Sequence, residues 1–332
     1  MYTLSGNPGL LSQWYAIATE LEVANGPIGR TVLGINVVAY RDPAGEVIVA
    51  PDRCPHREAP LSCGTIENGV LRCCYHGWSF GAGGACVEIP SADPDFPIPR
   101  NANLPRYHSR LRYGLVWVCA AETPRGEIPA IDEEDTEEFR RINNPVQCWQ
   151  TSATRMTDNF LDIAHFPWVH TGTFGNQQRT HVPNINIESL PGNYIGYEYD
   201  VIAENRGGAS VTTGQDAQVV SRRMSTGFHL PFAVRSTIVY ENDLKHTLLL
   251  LPTPIDDNTS YFTFVVWRND DFSVSAEDVV DFDRAIGHED KKMLEKLSGL
   301  LPLETQALAN TRSDKASAHW RQEFRKLIAA AV

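Results

Sequence analysis

Short apolar and β-branched runs, separated by turn-forming residues, dominate the first 120 positions of the chain. The runs Arg30–Tyr40, Glu46–Ala50 and Leu115–Ala120 have the length and composition of strands. Turn signals separate them, as at Asp42-Pro-Ala-Gly and Gly81-Ala-Gly-Gly. The pattern predicts a small all-β module.

The second half of the chain mixes both periodicities. A helix is predicted over about Thr154–Phe166, and a long amphipathic helix begins near Ser275, with Ser275-x-x-Asp278 as a capping-box-like start and Gly299 as its stop. The segment Asn205–Gln218 is polar and glycine-rich, which is typical of a mobile loop. Strand-like runs lie at Tyr194–Ile202, Phe232–Tyr240, His246–Leu251 and Tyr261–Trp267.

A change of composition separates the two halves. Residues 123–147 include the acidic run Asp132-Glu-Glu-Asp-Thr-Glu-Glu and several prolines, which favours a connector with a solvated surface loop. We therefore expect an α+β protein with an N-terminal module over 1–122 (core Trp14–Ala121), a connector over 123–147 and a second domain over 148–332.

Composition and charge exclude several classes of partner. The 332 residues are 42% apolar, enough to bury a core, and the formal net charge is −12. Such a charge argues against binding nucleic acid or an anionic membrane surface. We interpret it as a surface charge that keeps the protein soluble. The start of the chain has no basic region followed by an apolar one, and no apolar stretch is long enough to span a bilayer. We expect a cytoplasmic protein without a membrane partner.

Seven cysteines are present, an odd number that does not suggest a disulfide framework. Most are expected to be buried free thiols, but Cys54 and Cys73 each stand close to a histidine. The chain reads Cys54-Pro-His56-Arg and, further on, Cys73-Cys-Tyr-His76-Gly-Trp. Two neighbouring loops thus each supply one Cys and one His. Structural zinc is the alternative, but zinc fingers pair Cys with Cys and His with His. A Rieske centre needs two thiolates on one iron and two imidazoles on the other.

These motifs resemble the signature of the Rieske non-heme iron oxygenases. The resemblance implies a [2Fe–2S] cluster held by Cys54, His56, Cys73 and His76. Tyr75, rather than a cysteine, precedes His76, and Cys63 does not directly follow the first loop. The additional disulfide of respiratory Rieske proteins is therefore not expected, which favours a low-potential cluster of the oxygenase kind.

A second group of metal-ligating residues lies in the predicted helix of the second domain. Asn159, Asp162 and His165 are spaced i, i+3 and i+6, so they share one helical face, and His170 follows after Pro167, which we expect to end the helix. Two histidines beside a helix break suit a metal site, although two ordinary histidines at a helix end remain an alternative.

The long late helix offers a carboxylate for the same metal. Its apolar stripe contains Asp290, and a buried carboxylate is costly unless it is paired or binds a metal. Glu289 falls off the stripe and is interpreted as solvated, so Asp290 is the predicted third ligand and Glu289 the fallback. With His165 and His170 this gives a 2-His-1-carboxylate triad, which leaves coordination positions open. The expected stripe consists of Val279, Phe282, Ile286, Asp290, Met293 and Leu297.

The second group, placed after a Rieske module, is similar to the catalytic motif of the same oxygenases. In size and layout the chain resembles their α-subunit-only branch, which contains dicamba and vanillate O-demethylases and toluenesulfonate methyl-monooxygenase. The resemblance implies a helix-grip, START-like antiparallel sheet with helices, and a homotrimer. Asp162 would link His76 of one subunit to His165 of the next, and Asn159 would lie near a mononuclear Fe(II).

The function implied is that of a terminal oxygenase acting with O₂ on a small organic substrate. Because no nucleotide fingerprint or plant-type ferredoxin motif is present, electrons must come from a separate NAD(P)H-dependent reductase, with or without a ferredoxin. Monooxygenation, as hydroxylation or O- or N-demethylation, is the expected reaction, and ring cis-dihydroxylation is the alternative. A lesser alternative is an electron-transfer Rieske protein without catalysis, which leaves the second metal group unused.

Overall fold

The structure, a computed structural model, describes residues 2–93, 95–206, 209–215, 217–270, 273–304 and 306–330. It divides into two compact units, residues 2–127 and residues 128–330. Among the helices of these ranges, none combines the length and the apolar character needed to cross a membrane. The predicted α+β class is confirmed, with a β-rich first unit and an antiparallel sheet with helices in the second.

Over residues 2–93 and 95–127, the first unit consists of three small antiparallel sheets with two short α-helices. The sheets have the orders β1-β10-β9, β2-β3-β4 and β5-β6-β7-β8. The strands are β1 Tyr15–Thr19, β2 Ile28–Val32, β3 Ile35–Arg41, β4 Val47–Pro51, β5 Thr65–Glu67, β6 Val70–Arg72, β7 Ser79–Phe80, β8 Cys86–Glu88, β9 His108–Arg112 and β10 Leu115–Cys119. The helices are α1 Pro8–Leu11 and α2 Glu20–Ala24, which the all-β prediction lacked.

Buried residues of β3, β4, β6 and β7 form a core that also contains the two cysteines of the metal motifs. Tyr40, Leu71 and Phe80 are fully buried there, beside Cys54 and Cys73. The motif loops are therefore anchored by apolar packing as well as by their turns.

Within the residues that the structure describes, the second unit is one eight-stranded antiparallel sheet with five α-helices. The sheet runs β11-β18-β17-β16-β15-β14-β13, and β12 also pairs with β18. The strands are β11 Arg140–Asn143, β12 Gln147–Trp149, β13 Glu188–Leu190, β14 Tyr194–Glu204, β15 Val219–His229, β16 Ala233–Tyr240, β17 Lys245–Pro254 and β18 Ser260–Arg268. The helices are α3 Ala153–Phe160, α4 Phe166–Val169, α5 Ala209–Thr213, α6 Ala276–Leu294 and α7 Lys315–Ala329.

Helices cover one face of this sheet and shape the space in which the metal group lies. Along β15 the buried and exposed residues alternate, so Arg222 and Met224 face the covered side while Arg223 faces outward. Helix α6 packs against α3, α4, α5 and β11. Its Val279 and Leu294 share a core with Trp149 and with phenylalanines of β18.

The acidic segment is not a connector over most of its length. Residues 128–147 belong to the second unit, and β11 pairs with β18 within this segment. Glu133, which we expected to be solvated, is 3% exposed and forms ion pairs with Arg235 at 2.7 Å and Lys245 at 2.9 Å. Strands β16 and β17 present these two cations, and a carboxylate that balances them becomes buried.

The predicted helix over Thr154–Phe166 is also interrupted. Helix α3 ends at Phe160, and the separate short helix α4 begins at Phe166. Pro167 occupies the first turn of α4 and so begins a helix instead of ending one, as its missing N–H allows. The long late helix does begin after Ser275, whose side chain accepts from the Asp278 N–H, but it ends at Leu294 before Gly299.

The segment Asn205–Gln218 contains the short helix α5, which we did not expect. A backbone hydrogen bond from Asn205 to Gln218 joins its two ends. Residues 207, 208 and 216 of this prediction lie outside the described residues.

Candidate metal centres

Two elements distant in sequence bring the mononuclear group together. His165 and His170 flank α4 at its two ends, as N-cap and C-cap, and Asp290 lies on α6, which packs against α4. His170 and Asp290 are buried, with 1% and 6% of their surface exposed. All three predicted ligands thus converge, and the two histidines lie at opposite ends of the same short helix.

The three donor atoms form a nearly equilateral triangle. Nε2 of His165 lies 3.2 Å from Nε2 of His170, and each nitrogen lies 3.4 Å from Oδ1 of Asp290. Donors about 2.1 Å from one metal, at angles somewhat above 90°, are separated by about this distance. The triangle therefore fits a single transition-metal ion bound on one face, with positions open opposite the three ligands.

Each member of the triangle is held by a further polar group. Asp162 Oδ2 accepts from Nδ1 of His165 at 2.9 Å, and Glu289 Oε2 accepts from Nδ1 of His170 at 3.1 Å. Asn159 donates to Asp290 Oδ1 at 2.9 Å. These contacts fix ring orientation and direct both Nε2 atoms toward one point.

The charges of the triangle and of the carboxylates that hold it depend on one another. Burial raises the pKa of Asp162, Glu289 and Asp290, but hydrogen bonds and charges of the adjacent histidines outweigh burial and leave all three pKa values below the ordinary range. Burial lowers the pKa of His165, but Asp162 and Asp290 outweigh it and raise the pKa to about 9. The carboxylates are ionised at neutral pH, as metal ligands must be.

Glu289 is the main residue that the sequence did not assign correctly. It is neither solvated nor a member of the triangle: besides His170, it accepts from the Thr173 hydroxyl at 2.7 Å and from the Gly172 N–H at 2.8 Å. The expected apolar stripe is wrong at its C-terminal end, where Met293 is exposed and Leu294 is buried instead. A stripe of period 3.6 from Val279 through Ile286 to Leu294 also includes Asp290, and periodicity alone did not distinguish the two registers.

A cavity of about 130 Å³ opens on the triangle, which is space for roughly ten water-sized positions. The triad residues form part of its wall, and apolar side chains form most of the rest, among them Phe160, Phe166, Leu248 and Phe262. A small organic molecule can therefore lie against the metal-binding face while water is largely excluded.

The four residues of the Rieske motif lie on two adjoining loops. Cys54 and Cys73 are buried, and the Cys73 thiol lies close enough to raise the pKa of Cys54. The rings of His56 and His76 are 4.4 Å apart, and His56 stacks on Trp78 at 4.7 Å. The structure therefore brings all four predicted cluster residues to one place.

The local chemistry fits an iron–sulfur cluster. Nδ1 of His56 is buried and has no hydrogen-bond partner among the described residues, as expected of a nitrogen that binds a metal. Burial, helped by the neighbouring Cys73 thiol, raises the pKa of Cys54 to about 11, so metal binding must displace its proton. Gly77 has a φ of +71°, and a Cβ there would come within 3.1 Å of Pro90, so the turn beside His76 needs glycine.

Known families match both units of the chain. The Rieske [2Fe-2S] domain matches residues 13–108, and the vanillate O-demethylase oxygenase C-terminal domain matches residues 149–330. Because the match to the vanillate O-demethylase oxygenase C-terminal domain covers more than half of the chain, it assigns the chain to that family.

Individual relatives agree with this assignment. Methylxanthine N1-demethylase NdmA of Pseudomonas putida is 27% identical over 95% of this chain and 88% of its own length. The structure of NdmA with caffeine superposes with a TM-score of 0.81 at 25% identity, over 96% of this chain and 91% of that one. Toluene-4-sulfonate monooxygenase subunit TsaM1 of Comamonas testosteroni is 36% identical, over 49% of this chain and 47% of its own. A structure of dicamba monooxygenase bound to 3,6-dichlorosalicylic acid shares the fold, with a TM-score of 0.78 at 23% identity over 96% of this chain and 97% of that one.

The predicted resemblance is confirmed by these matches. The chain belongs to the Rieske oxygenases that carry a vanillate O-demethylase-type C-terminal domain, and it is the terminal oxygenase component of such a system, an oxidoreductase that uses a [2Fe–2S] cluster, non-heme iron and O₂.

Proposed function

We propose that this chain inserts one oxygen atom into a C–H bond of a small organic substrate held in the cavity beside His165, His170 and Asp290. Where the carbon carries O or N, such an insertion leads to demethylation. The observation that carries the proposal is the triangle of donor atoms, with edges of 3.2–3.4 Å, opening on a mainly apolar cavity. The demethylases and monooxygenases among its relatives support the same reaction class.

In this proposal His165, His170 and Asp290 hold the mononuclear iron, and Cys54, His56, Cys73 and His76 hold the cluster. The iron, when bound, supplies the site at which O₂ is activated, and the cluster supplies electrons received from a reductase, with or without a ferredoxin.

The protein's own groups orient the ligands and shape the site. Asp162 and Glu289 keep the Nδ1 protons on the two histidines, so that both Nε2 lone pairs remain available to a metal. Asn159 holds the Asp290 carboxylate in one orientation through its amide. The apolar wall positions the substrate and limits the access of water.

We infer further that Asp162 joins two subunits of a cyclic homotrimer. Its side chain is 22% exposed while it bonds His165, so one edge of the carboxylate is open to a donor from another chain. His76 is exposed on the first unit and has such a donor. A heterologous ring that closes would bring the two together between subunits. A cytoplasmic location stays a prediction of the sequence.

The reaction class is tested by turnover under ¹⁸O₂ with an identified substrate and a surrogate reductase. One labelled oxygen in the product, or labelled formaldehyde trapped before exchange, is the expected result. A cis-diol that carries both atoms of one O₂ would contradict monooxygenation. It would instead favour the class of 3-chlorobenzoate-3,4-dioxygenase, whose oxygenase subunit is 34% identical over 49% of this chain.

A further inference from the structure

Two exposed cysteines lie beside the loops that carry the four cluster residues, and neither has a role in the cluster. They are Cys63, which follows the first loop, and Cys74, which directly follows Cys73 in the second loop. Of the seven cysteines of the chain, four are buried, and the third exposed one is Cys148 in the second unit. Exposed thiols can be reached by oxidants, whereas buried ones are inert.

The register of the β5–β6 hairpin sets these two cysteines against each other. Thr65, the first residue of β5, lies opposite Arg72, the last residue of β6. Continued by two residues in each direction, the same register places Cys63 opposite Cys74. Opposed residues of an antiparallel pair have Cα atoms about 4.5–5.5 Å apart, and disulfides join Cα atoms about 4.4–6.8 Å apart. The two positions thus have the spacing that a disulfide requires.

Backbone contacts beyond the end of the hairpin keep the two segments together. Gly64 packs so closely against β6 that a Cβ there would lie 2.3 Å from the carbonyl oxygen of Arg72. The Cys63 N–H donates to the carbonyl oxygen of Pro60 at 3.3 Å, and the Cys74 thiol donates to the same oxygen, with its sulfur 3.9 Å away. Both cysteines therefore contact one carbonyl group.

The Cys74 thiol has two other thiols close enough to act on it through space. Desolvation raises the pKa of Cys74, and the thiols of Cys73 and Cys63 raise it further. Of these two neighbours, Cys73 belongs to the cluster. Cys63 is therefore the neighbour that remains available to react with Cys74.

We propose that Cys63 and Cys74 are a modification site, at which hydrogen peroxide forms a reversible disulfide that links the two cluster loops. Peroxide arises when an oxygenase passes two electrons to O₂ without oxidising a substrate. One thiol reduces the peroxide to water and becomes a sulfenic acid, and the other thiol then displaces water from that sulfur to form the S–S bond. Two thiols and one peroxide thus give one disulfide and two waters, which balances atoms and electrons.

The disulfide would close the open end of the β5–β6 hairpin, between the two loops that hold the cluster. A covalent link there removes conformations in which the loops separate, so the oxidised protein should release its cluster more slowly. The bond differs from the disulfide of respiratory Rieske proteins, in which a cysteine directly precedes the histidine of the second loop. This chain has Tyr75 at that position.

The test treats the cluster-loaded, full-length protein with a small excess of hydrogen peroxide and maps its thiols by alkylation, proteolysis and mass spectrometry without reductant. A peptide that joins Cys63 to Cys74 is expected, together with unchanged cluster absorption and full recovery of both thiols after reduction. Because the link lies within one chain, its yield should not depend on protein concentration. In denaturant, cluster absorption should decay at least about fivefold more slowly in the linked protein than in the reduced one.

Cys63→Ser and Cys74→Ser should each abolish the link and the slower decay, whereas Cys148→Ser, at the exposed cysteine of the second unit, should change neither. The proposal is overturned if both thiols stay reduced, if peroxide joins Cys74 to another cysteine or to a second chain, or if the link forms only after the cluster is lost. Equal decay in the linked and reduced forms would also overturn it. Should a serine variant fail to fold, the peptide map and the decay of the wild type decide.

Discussion

The two candidate metal-binding regions of the chain differ in how their residues come together and in how exposed these residues are. All four cluster residues lie between positions 54 and 76, on two loops of one small unit. The mononuclear group combines a short helix with a residue of α6, and 120 positions separate His170 from Asp290. His76 is exposed, whereas His170 is 1% exposed.

This difference matches what each centre must do. A cluster that takes electrons from another protein needs an exposed ligand edge, because electron transfer falls off with distance through protein. A site that activates O₂ on a substrate needs a dry cavity with coordination positions reserved for the reaction. Local loops suffice for the first task, whereas the second requires the packing of a whole domain.

The largest expected effect separates the two regions by metal content. Asp290→Ala should lose the mononuclear iron, lowering iron from about three to about two per chain, and should lower turnover by about 10³-fold or more, because one of only three protein ligands is removed. The cluster spectrum should stay unchanged, since its ligands lie in the other unit. Metal analysis and EPR of the reduced protein measure both.

Asp281→Ala is the control, because Asp281 is a carboxylate on the same helix that is 57% exposed. Normal iron content and turnover in Asp290→Ala would contradict the ligand assignment and point to Glu289.

The converse change is expected at the cluster. His76→Cys should convert the spectrum toward that of an all-cysteine cluster and lower its potential by hundreds of millivolts, because imidazole ligands raise the potential of such a centre. The mononuclear iron should be retained in full. Redox-titrated EPR with iron analysis tests this, and loss of the mononuclear iron would show that the two regions are not independent.

A smaller effect is expected from the groups behind the triad. Glu289→Gln removes the charge that holds His170 but preserves the size of the side chain, so iron affinity should fall by about 10- to 100-fold. Competition with a chelator measures that affinity. If Glu289→Gln released all of the iron, as Asp290→Ala should, Glu289 would have to be a ligand itself.

The smallest effect on either metal is expected at Glu133, a buried carboxylate whose partners are cations of the protein. Burial raises the pKa of Glu133, but Lys245 and Arg235 outweigh it and the pKa lies below the ordinary value. The ionised form of Glu133 therefore stabilises the fold at pH values above the pKa that this carboxyl has in the unfolded chain. The contribution disappears as the pH falls through its pKa in the folded protein.

Glu133→Gln should thus lower the free energy of unfolding by about 2–4 kcal/mol at pH 7, with a smaller difference in acid, while both metal contents stay normal. Denaturant unfolding at several pH values checks it, with the exposed Glu137→Gln as control. A loss that does not depend on pH would contradict the ion-pair explanation.

The cluster motif could be predicted because its chemistry is local. Cys54, His56, Cys73 and His76 are recognisable by spacing, and the loops that hold them need only a few turns. The same local signals predicted β4, β10, β14, β16, β17 and β18, whereas the run Arg30–Tyr40 spans two strands, β2 and β3, and β15 was not predicted.

The features that could not be predicted from the sequence depend on contacts between residues far apart in the chain. The helix periodicity that placed Asp162 and His165 on one face was wrong, because α3 ends at Phe160 and Asp162 instead accepts the backbone N–H groups of Ala164 and His165. Glu133 and Glu289 were read as solvated because their partners lie on other elements. Arg222 follows the alternation of its strand, but only the assembled fold shows that its Nε is buried without a hydrogen-bond partner among the described residues.

The most direct test of the account is the metal inventory of the anaerobically purified and reconstituted wild-type protein. We expect about three irons and two acid-labile sulfides per chain, with the rhombic EPR signal of a histidine-ligated [2Fe–2S] cluster after reduction and an additional ferrous site that binds nitric oxide. Two irons with two sulfides and no such site would make the chain an electron carrier, and zinc without sulfide would remove both centres; either result contradicts the account.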